Sequence, residues 1–293
     1  MTASAASVEA QAKINVVLRV LAREESGYHQ IETLFVRIEL ADTIRVATDT
    51  GKRELVCPGL ESVPVEQNLA WRAADAFAAA CGWPTGFQIT VEKRIPVGSG
   101  LGGGSADAGA VLRALNALAP TPLTAAALAT VAFQVGADVP FLATDAALAI
   151  AWGRGERILA LRSLPAREVL VTLPSFGVET AAAYRWLDES RASSALAAPA
   201  PLSIDDLDRW DAVARLAGND LEPVVSARHP EIAQCVGALG GAGARIARMS
   251  GSGSSVFGIF DRRPPAEIAG LPSGAQVVHT RTCTSVAAVR LLD

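Results

Sequence analysis

The chain has 293 residues, of which 50% are hydrophobic and 19% are charged, and its formal net charge at pH 7 is -4. This composition supplies enough apolar material for folded cores and excludes a disordered chain. The lack of a basic surplus argues against a nucleic-acid partner, and no apolar run approaches the roughly 20 residues that cross a bilayer. The length predicts two domains, and the absence of a signal peptide pattern predicts a cytoplasmic location.

The first predicted elements are strands. Residues 1–11 contain neither lysine or arginine nor an apolar core, and they predict a short frayed leader. Residues 14–21 are almost continuously apolar and predict a buried strand. Residues 35–46 predict one or two further strands, because their alternation breaks at Ala41 and Asp42. We therefore expect this end of the chain to be rich in β-structure.

Helical patterns dominate the next part of the chain. Residues 68–80 are rich in alanine, have few helix breakers and predict a helix. Residues 87–91 alternate between apolar and polar side chains and predict a strand. Apolar residues at helical spacing up to Leu118 predict a second helix. A third covers residues 124–135, with Thr124 as its N-cap.

A change of pattern follows between residues 151 and 165, where glycines mark a turn. We place a domain boundary here, which divides the chain into residues 1–158 and residues 159–293. A predicted strand at residues 169–173 opens the second part.

The last third of the chain contains two segments of biased composition. Residues 190–201 are rich in alanine, serine and proline and predict a loop. Residues 250–255 are a second glycine- and serine-rich stretch, which runs into a predicted apolar strand at residues 256–260. The four cysteines and three histidines are scattered along the chain, so we expect neither a disulfide framework nor a zinc site.

The most informative segment lies between the strand at residues 87–91 and the helix that follows. Its glycines let backbone N–H groups converge without obstruction by Cβ atoms. The helix that starts near Ser105 directs its positive dipole end and unpaired N–H groups toward the same space. Five glycines exceed what a simple connector needs, so the sequence predicts a loop that binds a polyphosphate. The predicted loop residues are Pro96, Val97, Gly98, Ser99, Gly100, Leu101, Gly102, Gly103, Gly104 and Ser105.

This loop does not match the two commonest phosphate-binding patterns. A P-loop requires a lysine after its glycines, and none follows here. A dinucleotide fingerprint counted from Gly100 ends at Ser105, where that pattern requires glycine. The sequence therefore disfavours both a P-loop protein and a Rossmann fold.

The loop resembles the P-x-x-x-G-L-G motif of the GHMP kinases, which include galactokinase, homoserine kinase and mevalonate kinase. Its longer form, GLGGGSADA, is similar to the branch of that family whose substrate is an alcohol with a cytidine diphosphate group. Six short segments agree with that branch in order along the chain. They are residues 12–15, 27–29, 32–35, 136–141, 219–222 and 249–254.

The resemblance implies an α+β fold with two domains and an active site in the cleft between them. The N-terminal domain, of the ribosomal protein S5 domain 2-like type, would carry the nucleotide loop, and the C-terminal domain would be ferredoxin-like. The implied reaction moves the γ-phosphoryl group of ATP, carried with Mg²⁺, to the C2 hydroxyl of 4-diphosphocytidyl-2-C-methyl-D-erythritol. That step belongs to the non-mevalonate isoprenoid pathway, and the protein could act as a monomer or a homodimer. Another GHMP kinase activity, or a non-catalytic nucleotide-binding protein on the same fold, remains an alternative.

By this resemblance Lys13 and Asp138 are the catalytic pair. A nearby lysine favours the ionised form of an aspartate and makes it a weaker base. Phosphoryl transfer passes through a loose transition state that demands little of the nucleophile. We therefore expect Asp138 to orient the hydroxyl and accept its proton late, while Lys13 stabilises the charge on the transferred group. Ser105 is expected to reach a phosphate or Mg²⁺.

The resemblance also implies the residues that hold the two substrates. Tyr28 is expected to stack on the cytosine ring, and His29 to form a hydrogen bond with its edge. Phe176 is a candidate for the opposite face of the cytosine, and Asn15 for a polar contact with the substrate. Asn68 is expected to help hold the adenine nucleoside, to cap the following helix, or to do both.

Overall fold

Two β-sheets with packed helices make up the fold in the computed structural model, which describes residues 3–191 and 203–292. Most of the predicted loop at residues 190–201 lies outside the described residues. The strands are β1 Ala5–Arg23, β2 His29–Thr48, β3 Arg53–Val56, β4 Phe87–Glu92, β5 Leu148–Gly153, β6 Arg157–Ala160, β7 Glu168–Leu173, β8 Gly218–Asn219, β9 Ile246–Met249, β10 Val256–Phe260, β11 Gln276–Arg281 and β12 Arg290–Leu292.

The three helices predicted from the sequence are present in the structure. Asn68 caps the first helix, since its side chain accepts a hydrogen bond from the Ala70 N–H, and Thr124 caps the third in the same manner. Within the described ranges, no helix is both long enough and apolar enough to span a bilayer. The α-helices are α1 Leu69–Cys81, α2 Gly103–Leu118, α3 Ala125–Val135, α4 Val139–Leu142, α5 Thr180–Arg191, α6 Trp210–Leu216, α7 Glu222–Ser226 and α8 Pro230–Gly241.

A long antiparallel hairpin of β1 and β2 lies at the centre of the first sheet. The prediction of a frayed leader at residues 1–11 is wrong, because β1 begins at Ala5. Small side chains of that segment, such as Val8, alternate into the core and pair with the end of β2. Of the one or two strands predicted at residues 35–46, the structure forms one, since β2 continues through Ala41 and Asp42. The Asp42 carboxylate is buried there and pairs with Lys93.

Two irregularities, which lie close together, interrupt the pairing of β1 with β2. The register shifts between Gln11 and Lys13 and again between Asn15 and Val17. Such irregularities bend a strand and change the direction of its side chains. The three residues between the shifts place Lys13 and Asn15 on the same face of the sheet, since successive side chains point to opposite faces.

The second sheet has the strand order β11-β7-β10-β9 and separates two apolar cores. In β7, Val169 and Val171 contribute to the core of the first sheet, whereas Leu170 faces the core around α5, α7 and α8. Strand β10 divides its side chains in the same way. The short strands β8 and β12 add to the first sheet, although they follow residue 158 in the chain. The domain boundary at residue 158 stays a prediction.

Candidate active site

A cavity of about 1590 Å³ opens between the glycine-rich loop, the end of the β1–β2 hairpin and α5. A site for one drug-sized ligand occupies about 300–1,000 Å³, so this cavity has room for two substrates. Most of the residues that the sequence singled out meet here. They are Lys13, Asn15, Tyr28, His29, Asn68, Pro96, Val97, Gly98, Ser99, Gly100, Gly102, Gly103, Gly104, Ser105 and Asp138.

Two predicted site residues do not line the cavity. The Leu101 side chain is fully buried in the core, and its carbonyl accepts a 3.0 Å hydrogen bond from the Lys13 N–H. The Phe176 ring stacks on His229, with 4.4 Å between ring centroids, and packs against the second core. The structure therefore does not bring Phe176 to the position expected for it, and Tyr184 lines the cavity beside His29 instead.

The glycine-rich loop has a backbone that ordinary residues rarely adopt. Gly98, Gly100 and Gly102 have φ angles of 70°, 80° and 71°. A Cβ on Gly100 would lie 2.4 Å from the Ser250 carbonyl oxygen, and one on Gly102 would lie 2.9 Å from Cε of Lys13. Alternation of left-handed residues with ordinary ones forms a concave set of N–H groups that binds anions.

The helix after this loop adds to the anion site. Gly102 is the N-cap of α2 and has no side chain that could occupy the N–H groups of the first turn. Those groups have no acceptor within the helix and carry its positive dipole end. Because Gly103, Gly104 and Ser105 line the cavity, these donors face the space where a phosphate would bind.

Lys13 and Asp138 form an ion pair at the wall of the cavity, with 3.3 Å between Nζ and Oδ2. The ammonium group also donates to Oδ1 of Asn15 at 2.7 Å and to the Gly100 carbonyl at 3.0 Å. The Lys13 side chain is 4% exposed and that of Asp138 is 31% exposed. Asp138 precedes α4 but forms no capping hydrogen bond within the described chain, so its carboxylate is available to the cavity.

Asn15 has a fixed orientation beside this pair. Its Nδ2 donates to Oγ1 of Thr33 at 2.8 Å, and that hydroxyl donates to the Val17 carbonyl at 2.7 Å. The Oδ1 atom is thereby directed at the ammonium group of Lys13. This hydrogen-bonded chain limits the motion of the lysine side chain.

Arg37 holds the segment that carries Asp138. The guanidinium is fully buried and donates to the carbonyl oxygens of Phe141, Thr144 and Ala146, each at 3.0 Å. Burial lowers its pKa to about 9. It also lies over the Phe141 ring at 4.9 Å, so the turn after Asp138 is fixed by hydrogen bonds and by a cation–π contact.

A second glycine-rich loop, residues 250–255, is joined to the first. The Ser250 hydroxyl donates to the Gly100 carbonyl at 3.0 Å, and the Ser255 N–H donates to the Ser99 carbonyl at 3.0 Å. Nδ2 of Asn219 donates to the carbonyl oxygen of Gly251 at 2.8 Å. The sequence motifs at residues 219–222 and 249–254 thus contribute to the same wall of the cavity.

A buried charge cluster lies behind the glycine-rich loop. Lys93, which the sequence did not single out, binds Asp42 and Asp107 together, and both Lys93 and Asp107 line the cavity. Burial raises the pKa of Asp107 to about 8, although the ammonium of Lys93 acts in the opposite direction. The Oδ1 atom of Asp107 is buried and has no hydrogen-bond partner among the residues described.

Aromatic rings also line the cavity. Tyr28 is 61% exposed, and the Arg154 guanidinium lies 4.2 Å from its ring centroid. His29 forms a 2.8 Å contact from Nε2 to Oδ1 of Asp188 and stacks on Tyr184 at 4.7 Å. Burial raises the pKa of Tyr184 to about 12. Arg154, Tyr184 and Asp188 follow the Tyr-His pair by more than 120 residues, and no motif marks them in the sequence.

The chain matches two family patterns and close relatives over most of its length. Residues 68–148 match the GHMP kinases N terminal domain, and residues 203–270 match the GHMP kinases C terminal domain. A 4-diphosphocytidyl-2-C-methyl-D-erythritol kinase from Anaeromyxobacter sp. (strain K) is 43% identical over 93% of this chain and 89% of its own length. A kinase of the same name from Geobacter sp. (strain M21) is 39% identical over 93% of this chain and 94% of its own.

Solved structures agree with these matches. A crystal structure of 4-(cytidine 5'-diphospho)-2C-methyl-D-erythritol kinase superposes with a TM-score of 0.73 at 34% identity and covers 94% of this chain and 98% of its own. Homoserine kinase from Cytophaga hutchinsonii shares the fold, with a TM-score of 0.68 at 17% identity over 98% of this chain and 97% of its own. The expected α+β fold with N- and C-terminal kinase domains is confirmed.

Proposed function

The chain belongs to the GHMP kinases and, among them, to the 4-diphosphocytidyl-2-C-methyl-D-erythritol kinase family, and we propose that it phosphorylates the C2 hydroxyl of that cytidyl alcohol. As a GHMP kinase it transfers a phosphoryl group from ATP to an alcohol. The products are then ADP and the 2-phosphate, within the non-mevalonate isoprenoid pathway and in the cytoplasm. The observation that carries the proposal is the Lys13–Asp138 pair, which lines the same cavity as a glycine-rich loop and an exposed tyrosine.

The triphosphate of ATP binds in this proposal along the glycine-rich loop. The backbone donors at Gly98 to Gly102 and the first turn of α2 supply an anion site without any lysine of P-loop type. Asn68 lines the same cavity at the start of α1 and is positioned to hold the adenine nucleoside while it caps that helix. Its capping role and its binding role are compatible.

Mg²⁺ fits this arrangement as an ion that arrives with the nucleotide. Magnesium is usually held by one or two carboxylates together with substrate phosphates. The described part of the chain offers no cluster of three or more acidic, histidine or cysteine side chains that could hold a metal on its own. The Ser105 hydroxyl, at the first turn of α2, is the protein oxygen that would bind it. The ion would neutralise charge on the phosphates.

Lys13 and Asp138 act on the acceptor end of the reaction. The carboxylate orients the C2 hydroxyl and takes its proton as the new O–P bond forms. The buried ammonium group stabilises negative charge on the transferred phosphoryl group. Because Asn15 and the Gly100 carbonyl already hold the lysine, this stabilisation needs little rearrangement during the reaction.

The aromatic end of the cavity binds the cytosine. We propose that Tyr28 stacks on the base, that His29 forms a hydrogen bond with its edge, and that Tyr184 rather than Phe176 closes the site. Tyr184 lines the cavity and is held against His29, whereas Phe176 is held against His229. The proposed substrate therefore spans the cavity from the rings to the catalytic pair.

A coupled assay of ADP release across a series of alcohols tests the function. We expect turnover of the cytidyl alcohol with a far higher kcat/KM than of mevalonate, homoserine or galactose. Phosphorus NMR of the product should show a new monoester at C2. Faster turnover of an alcohol without cytidine would favour another GHMP activity, and binding of both substrates without phosphoryl transfer would favour a non-catalytic protein.

A further inference from the structure

The exposed ring of Tyr28 has one face that is already covered. The Arg154 guanidinium carbon lies 4.2 Å from the centroid of this ring, which is otherwise 61% exposed. A tyrosine at the tip of a hairpin has considerable rotamer freedom, and fixing such a side chain costs free energy on binding. A cation over one face of the ring restricts that freedom through the attraction between its charge and the ring electrons.

Arg154 is itself held in place by the hairpin that it contacts. Its Nε donates to Oε2 of Glu24 at 3.1 Å, its Nη2 donates to the same carboxylate, and Nη2 also reaches the Ser26 hydroxyl at 3.2 Å. The side chains of Arg154 and Glu24 are only 34% and 24% exposed. Two hydrogen bonds to one carboxylate oxygen and a third to Ser26 hold the guanidinium more firmly than a single exposed ion pair would.

The sheet explains why two distant segments meet here. Strand β5 pairs antiparallel with β2 so that Gly153 lies opposite Ile31. The turn after β5 therefore lies beside the turn that precedes β2. The Arg154 N–H donates to Oε2 of Glu156 at 2.6 Å, which fixes the turn that presents the guanidinium.

From this geometry we propose that Arg154 is a positioning residue for the nucleobase: it orients the Tyr28 ring and leaves the opposite face open for cytosine. The inference rests on the proposed function, because it assigns the substrate-binding role to that ring. Arg154 touches the tyrosine and not the reacting atoms. Its loss should therefore weaken binding of the cytidyl alcohol in the ground state and the transition state alike.

The test compares Arg154→Met with Arg157→Met, a matched change at an exposed arginine of the same β5–β6 hairpin. We expect Arg154→Met to raise KM for the cytidyl alcohol about three- to tenfold. The kcat and the KM for ATP should stay within about twofold of the wild type, and Arg157→Met should change neither KM. Glu24→Gln, which frees the guanidinium without removing it, should raise the same KM by less.

A double variant separates positioning from simple structural support. In a Tyr28→Ala background, Arg154→Met should add no further increase in KM, because the ring on which it acts is gone. Two results would overturn the proposed role of Arg154 but leave the proposed function intact. One is an unchanged KM in Arg154→Met, and the other is an equal increase in KM in the wild-type and Tyr28→Ala backgrounds. If the wild type neither turns over the cytidyl alcohol nor binds cytidine 5'-diphosphate with the ATP site filled by an ATP analogue, the proposed function fails as well.

Discussion

At the level of single residues, the proposed catalytic pair of Lys13 and Asp138 combines a buried cation with a partly exposed carboxylate. Lys13 has three oxygen partners, and its ammonium lies 5.7 Å from the Phe35 ring centroid. Asp138 keeps one face toward the cavity. This asymmetry suits a mechanism in which the lysine stays fixed and the carboxylate contacts the acceptor hydroxyl.

Asp138→Asn should lower kcat by about 10²- to 10⁴-fold, because the amide can orient a hydroxyl but cannot take its proton. ATP affinity should change little, since the nucleotide loop does not depend on this side chain. Steady-state kinetics with a nucleotide titration will measure both quantities. Asp145→Asn, at an exposed carboxylate of the same segment, is the control and should behave as the wild type. Turnover of Asp138→Asn close to wild type would contradict the assigned role.

Asp107→Asn should change how stability depends on pH. The pKa of Asp107 is raised to about 8 in the folded protein, while an unfolded aspartate titrates near about 4. The folded state therefore binds the proton of the Asp107 carboxyl group more tightly than the unfolded state does. The stabilisation from this proton is complete below about pH 4 and is lost as the pH rises toward about 8. In Asp107→Asn the amide does not titrate, so the variant does not lose this part of its stability as the pH rises.

Thermal unfolding between pH 5 and pH 9 will measure this effect. The Tm of Asp107→Asn relative to wild type should rise by about 7–12 °C between pH 5 and pH 8, because the wild type loses about 3–4 kcal/mol of stability over that range. Asp75→Asn, at an exposed carboxylate of α1, should show no such trend. Curves for Asp107→Asn and wild type that run parallel across this range would refute the prediction.

At the level of elements, the two glycine-rich loops function as one unit. The first loop is the proposed anion site, and the second contacts its backbone through Ser250. Gly100 is the point of closest approach between them. A side chain there meets carbonyl groups of the backbone, which cannot rotate out of the way.

Gly100→Ala should therefore be far more damaging than Gly98→Ala. Both residues have positive φ, and a non-glycine residue in that conformation costs about 1–2 kcal/mol. Only at Gly100 does the new Cβ also collide with the other loop, since nothing lies within 4 Å of a Cβ at Gly98. We expect KM for ATP to rise at least about tenfold in Gly100→Ala and less than about threefold in Gly98→Ala. Equal kinetic effects of the two changes would show that the loop contact is unimportant.

Sequence patterns predicted the elements that carry strong local signals. The caps at Asn68 and Thr124, the glycine-rich loop and the strand before it depend on residues close together in the chain. The start of β1 escaped prediction because its small residues form a strand only by pairing with β2. Tyr184 escaped because it lies in α5, and no motif indicates that this helix packs beside His29.

At the level of the whole molecule, the second sheet joins the two halves of the chain. Its strand β7 contributes Val171 to the core under the first sheet and Leu170 to the core under α8. The Leu40 N–H in β2 adds a 2.9 Å hydrogen bond to the Thr280 hydroxyl in β11, which joins the first sheet to the second. The two halves therefore share buried surface and are not linked by a flexible tether alone.

Thermal unfolding should consequently occur as one cooperative transition. In differential scanning calorimetry we expect the calorimetric and van't Hoff enthalpies to agree, although proteins with two domains often deviate. A non-hydrolysable ATP analogue at 100 times its Kd should stabilise the whole molecule by about 2.7 kcal/mol. Two separate transitions, of which the analogue shifts only one, would indicate that residues 1–158 unfold independently.

The paired register shifts of β1 have a consequence for the evolution of this enzyme. Lys13 and Asn15 lie between two register shifts, so the pairing of this short stretch is offset from the pairing on either side of it. A one-residue insertion in a uniform strand would turn every later side chain to the opposite face. We expect an insertion outside the short central stretch to be absorbed at one of the existing bulges, so that Lys13 still faces the cavity.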